Sequence, residues 1–213
     1  MSVMQAAISV SLSILSFLWI HFINWLYIFV SPVENLEVLW IIVPIWISWF
    51  FAEFFQEKKG TSFGNAITNG AVPFWVGIDW IRQVTNLLIA GELEFSTMVV
   101  VKYFICLCVL LYGAMIIYYG IKAKSFVHFI GRIRQITYIL VMFTPIIYGV
   151  FDLNWDFVVS IIIFYPVFYY IIEYIDRKFP DPIAFARDEM EKLKRSSAES
   201  SSGLGGLDGL GKL

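Results

Sequence analysis

The chain alternates between long apolar runs and short polar breaks. Six runs approach the roughly 20 mostly apolar residues that a bilayer-spanning helix requires. They lie at 7–30, 36–55, 65–90, 96–119, 133–151 and 157–174, and the third is the least apolar. Turn-forming residues separate them: Ser31-Pro32, Gly60 with Gly64, Gly91, Gly120 and the stretch 152–156. Inside lipid each backbone N–H and C=O must be paired within the protein. Runs of this length achieve that as helices; barrel strands would instead alternate apolar and polar at every second residue. The pattern predicts an all-α polytopic membrane protein. A six-transmembrane-helix bundle occupies 1–178, a short cytoplasmic amphipathic helix 181–195, and a disordered Ser/Gly/Leu tail 196–213. The first run is read as a retained span. Residues 1–5 carry no Lys or Arg, and the run exceeds the core of about 7–15 apolar residues found in a signal peptide.

Charge refines this picture, because cytoplasmic loops collect Lys and Arg. Lys58 and Lys59 follow the second run, Lys122, Lys124, Arg132 and Arg134 the fourth, and Arg177 and Lys178 the sixth. The other loops hold only acidic residues: Glu34 and Glu37, Glu92 and Glu94, Asp152 and Asp156. Six spans with both termini in the cytoplasm satisfy this alternation. Trp25, Tyr27 and Trp155 then mark the outer interface, and Tyr118, Tyr119, Tyr170 and Tyr174 the inner one.

Composition agrees. Of 213 residues, 59% are hydrophobic and 15% charged, against about 45–50% and about 25% in soluble domains. The formal net charge of −2 gives no bulk attraction to nucleic acid. The expected partner is the lipid bilayer; oligomeric state is not legible. Cys106 and Cys108 stand two apart, which places them on different sides of a helix and makes an internal disulfide unfavourable.

After the spans, Asp181-Pro182 reads as a helix start, with Ile183, Ala186, Met190 and Leu193 on one face. The last eleven residues repeat Gly-Leu steps, which offers a docking peptide for a protein partner at the C-terminal tail.

Polar residues concentrate in the third run: Asn65, Thr68, Asn69, Asp79, Arg82, Gln83 and Asn86. At 100° per residue they fall within an arc of about 140°. Ile67, Phe74, Ile78, Ile81 and Leu88 lie opposite, so the polar face should look into the bundle. Arg82 is three residues from Asp79 and within its reach. Gly70 and Pro73 favour a bend. Candidate intramembrane partners are Lys102, His21 and Asn24. Lys102 either snorkels outward or meets Asp79, and Glu53 reaches the interface near Lys58. Ser9, Ser13, Ser16 and Asn24 line one side of the first run, the pattern of a helix-packing seam.

Catalytic signatures do not appear. Two histidines, His21 and His128, are too few for a multi-histidine metal centre, and no His-Glu-x-x-His or Gly-x-Ser-x-Gly occurs. No cofactor, metal or catalytic residue is called for. Two functional classes stay open, with a membrane enzyme as a third. The favoured one is passage of a small solute or ion along the polar face of span three. The alternative is a non-catalytic membrane anchor or assembly subunit that recruits a partner through the C-terminal helix and Gly-Leu tail.

Overall fold

The computed structural model describes residues 3–57, 60–180, 183, 187, 190, 191 and 193–196. Every regular element among them is helical. In chain order these are α1 (Val3–Val30), a 3-10 turn (Ser31–Glu34), α2 (Leu36–Phe55), α3 (Phe63–Ile89), α4 (Thr97–Ile121), α5 (Val127–Ile130), α6 (Ile133–Ile147) and α7 (Trp155–Lys178). The chain divides into a bundle, residues 1–176, and a separate unit, residues 177–213. In the second unit the described residues from 183 onward are helical, with Ile183, Met190 and Leu193 exposed. Ala186 and the Gly-Leu end lie outside the described residues, as do Lys58 and Lys59.

Among the described residues, four stretches are long and apolar enough to cross a membrane: Ile8–Glu34, Leu36–Phe55, Thr97–Ile121 and Trp155–Lys178. The 27-residue α3 has the length but is too polar. The 15-residue α6 is apolar, but at 1.5 Å per residue it reaches only about 22 Å against a hydrocarbon core of about 30 Å. It stops at Ile147 rather than at the expected 151. Tyr148 caps it by donating its N–H to Thr144 O at 2.9 Å, and Gly149 then turns with φ +78°. The starts are equally local. Asn35 accepts the Glu37 N–H at 2.9 Å to open α2, and Ser62 accepts the Asn65 N–H at 3.1 Å to open α3.

Two kinds of packing hold the bundle together. α3 and α4 approach closely because glycines remove the intervening side chains. A Cβ on Gly77 would lie 2.7 Å from Leu110 Cβ, and one on Gly113 would lie 2.7 Å from Gly70 O. α7 is instead held through large rings. Phe164 stacks on Trp25 at 5.6 Å between centroids, and Phe168 lies 4.9 Å from Tyr138. The central helix is α6, with twelve of its fifteen residues buried.

Two expectations for α1 change. Trp25 is a core residue, not an interfacial one: it is 5% exposed and donates its indole N–H to Tyr138 Oη at 3.1 Å. Ser9, Ser13 and Ser16 are exposed, like the rest of the helix over 8–20, so among the described residues they are not buried in a packing seam. Ser13 and Ser16 turn their hydroxyls back onto the helix, to Ser9 O and Ser13 O, each at 2.9 Å.

Candidate functional site

α3 does not turn one whole polar face inward. Its buried positions are Ala66, Asn69, Gly70, Pro73, Val76, Gly77, Trp80, Gln83 and Val84. On a helical wheel that arc is centred roughly 100° away from the polar arc. Close contact with α4 requires the glycine face to point inward, and of the seven polar residues only Asn69 and Gln83 are buried. Thr68, Arg82 and Asn86 are exposed, and Asn65 and Asp79 are half-buried. The polar residues therefore separate into two groups at opposite ends of the helix. Nine residues separate Asn69 from Asp79, ten helical steps or about 15 Å, and the inward positions there, Gly70, Pro73, Val76 and Gly77, carry no polar side chain.

The first group is an open pocket. Arg82 donates to Asp79 Oδ1 from Nη2 at 2.7 Å and from Nε at 3.1 Å. Tyr148, at the end of α6, donates to the other oxygen, Oδ2, at 2.5 Å. Gln83, 6% exposed, donates to Glu37 Oε2 at 3.3 Å and so ties α3 to the first turn of α2. Arg82, Gln83, Asn86, Glu37, Glu92 and Tyr148 line a cavity of about 470 Å³. Nearby on α3, Thr85 Oγ1 lies 2.8 Å from Tyr103 Oη.

The second group surrounds a buried ion pair. Arg134 is fully buried and donates from Nε to Glu53 Oε1 at 3.0 Å and from Nη1 to Glu173 Oε2 at 2.8 Å. Its guanidinium also lies over the Tyr169 ring, 4.7 Å from the centroid. Arg132 donates to Tyr169 Oη at 3.0 Å and stands 4.0 Å from Glu173. Beside them Glu57, 3% exposed, accepts from Thr61 Oγ1 at 2.9 Å, from the Ile133 N–H at 3.3 Å and from Asn69 Nδ2. Asn69 also donates to Gly131 O at 2.9 Å. Four elements, α2, α3, α6 and α7, thus meet at one buried ionic centre. Burial pushes the Glu57 carboxyl up, the nearby Glu53 charge adds to this, and the hydrogen bonds it accepts oppose it. Glu53 Oε2 is buried without a hydrogen-bond partner.

The remaining candidates resolve differently from expectation. Lys102 neither snorkels nor meets Asp79. It is 2% exposed, buried within the bundle. Glu53 does not reach the interface; it belongs to Arg134. His21 Nδ1 lies 2.9 Å from Ser160 Oγ and 3.2 Å from Asp156 O, which joins α1 to α7 rather than to α3. Asn24 is half-buried on α1. Among the described residues, no group of three or more His, Cys, Asp or Glu is placed to hold a metal ion.

Sequence reading missed Arg134, Glu173, Glu57 and Tyr148. Arg134 counts as a loop cation when only charge alternation is considered, yet it stands one residue inside an apolar run. Glu53 and Glu173, each inside another run, are the complementary signal. Comparison with protein-family models, with curated proteins and with solved structures finds no match for this chain.

Proposed function

We propose that the protein is a six-span integral membrane protein that passes a small solute or ion along α3, from the Glu37/Arg82 pocket toward the Arg134 centre. In this reading α3 and α6 complete the spans, with α6 sheltered by protein where it is too short for lipid. The end carrying Lys122, Lys124, Arg132 and Arg134 faces the cytoplasm, as the distribution of basic residues requires. Both termini are then cytoplasmic.

The observation that carries the reading is the asymmetry of one helix. α3 is polar and open at its Arg82 end, whereas at its other end Asn69 is buried and bonded to Glu57 and Gly131, with Thr68 exposed and Asn65 half-buried beside it. Irregular or polar structure at membrane depth is retained where it lines a cavity or is buried in protein, and α3 does one at each end. In this reading the molecule is open on the outer side and held on the inner side by Arg134, Glu53 and Glu173. Passage requires that lock to part.

Cysteine accessibility tests this on a background with Cys106 and Cys108 replaced. A water-borne thiol reagent should label cysteines at 82 and 86 from the outer face and leave one at 69 protected. Adding Arg134→Gln should expose position 69 to reagent from the cytoplasmic side. Continued protection of position 69 in that variant, with position 86 labelled from the cytoplasmic side instead, overturns both the lock and the topology.

A further inference from the structure

A second cavity, of about 810 Å³, runs between α2 and α3 and opens to the outside of the bundle, which in the six-span reading is lipid. Its walls are apolar, supplied by Leu39, Val43, Ile45, Val72 and Val76 among others. On α2 it extends from Leu36 to Ser48. Those twelve steps at 1.5 Å make about 18 Å, close to half of a hydrocarbon core about 30 Å thick. Trp40 lines both this groove and the polar pocket. Groove and pocket therefore form one elongated site, apolar for about one leaflet's depth and polar at its outer end.

The charge at the polar end is specific. Asp79 and Arg82 pair at 2.7 Å and neutralise each other. Glu37 also lies within the electrostatic reach of Arg82, but the pocket lining still holds two carboxylates, Glu37 and Glu92, against that one guanidinium, which Asp79 already pairs. Gln83, 94% buried, reaches out to Glu37 and holds it in place. Trp40 is 79% exposed, so its indole face is available at the junction. Two carboxylates beside an exposed indole form a receptor for an ammonium group, which gains from both ion pairing and cation–π attraction. A phosphate or sulfate head would meet net repulsion here.

We propose that this composite site binds an amphiphile with a cationic ammonium head and an apolar tail, the head at Glu37, Glu92 and Trp40 and the tail along the α2/α3 groove. The inference deepens the permeation reading by naming its substrate class, and it rests on that reading only for the onward passage of the ligand.

The experiment uses the full chain in lipid nanodiscs with radiolabelled dodecyltrimethylammonium as probe. Saturable binding is expected, displaced by the unlabelled cation and not by dodecyl sulfate, which has the same tail and the opposite charge. Glu37→Gln with Glu92→Gln should weaken it roughly tenfold or more, the scale of losing a strong charge partner. Ala71→Trp, at an exposed position on the groove wall, should weaken it without touching the charges. Displacement by dodecyl sulfate as effective as by the cation, or undiminished binding in the double glutamine variant, overturns the proposal. Flux into proteoliposomes separates it from the permeation reading. Charge-selective binding without flux upholds this site and removes permeation. Flux of a small inorganic cation without dodecyltrimethylammonium binding removes this site and upholds permeation.

Discussion

Arg134 on α6 donates to Glu53 on α2 at 3.0 Å with both side chains shut away from solvent, 0% and 2% exposed. Neither charge has water to fall back on. A buried pair of this kind gains little over apolar residues of the same volume, but loss of one partner strands the other at a cost of about 3–5 kcal/mol. Arg134→Gln, which strands Glu53, should therefore lower the melting temperature in detergent sharply, and Glu53→Gln, which leaves Arg134 its bond to Glu173, should lower it less. Glu53→Leu combined with Arg134→Met should regain a large part of the loss. A double variant whose loss equals the sum of the two single losses contradicts the pairing.

Glu57 gives the centre a pH dependence with a defined sign. Burial raises its folded-state pKa above the ordinary value of 4.5. The folded state then holds this proton more tightly than the unfolded chain does. Its contribution to stability is full below the ordinary carboxylate value and is lost as pH rises toward the raised one. Melting temperature followed upward from pH 4.5 should include a falling component that Glu57→Gln removes. Identical pH profiles for the two proteins would show that Glu57 does not titrate in this window.

The helices were legible because apolar run length is a local property. α2 occupies the expected 36–55, and the other runs shift by a few residues where caps decide: Ser62 at α3, Tyr148 and Gly149 at α6. The orientation of α3 was not legible, since helical periodicity identifies a polar face without saying what a neighbour requires of the other faces. Gly70, Gly77 and Gly113 decide that, and their meaning depends on which helix α3 meets. The ionic centre was illegible for a related reason. Glu53, Arg134 and Glu173 are 81 and 39 residues apart along the chain, and no spacing rule joins them. Asp79–Arg82 is the opposite case: three residues apart on one helix, it follows from sequence and forms as expected.

Asp79 has two partners, and magnitudes rank them. Arg82 is three residues along the same helix, its side chain 55% exposed against 12% for Asp79. An ion pair with so much solvent access is worth about 0.2–1 kcal/mol after screening. Tyr148 reaches Asp79 from α6, is 6% exposed, and donates a hydrogen bond to a carboxylate, a type worth about 1.5–3 kcal/mol. The tyrosine also ties α3 to α6, whereas Arg82 ties α3 only to itself. Double-mutant cycles in detergent melts should consequently give a larger coupling for Asp79→Asn with Tyr148→Phe than for Asp79→Asn with Arg82→Gln. Raising salt should erode the second coupling more than the first, because only the arginine pair is open to screening ions. The reverse order of couplings would make Asp79–Arg82 the main anchor of this region and reduce Tyr148 to a packing residue.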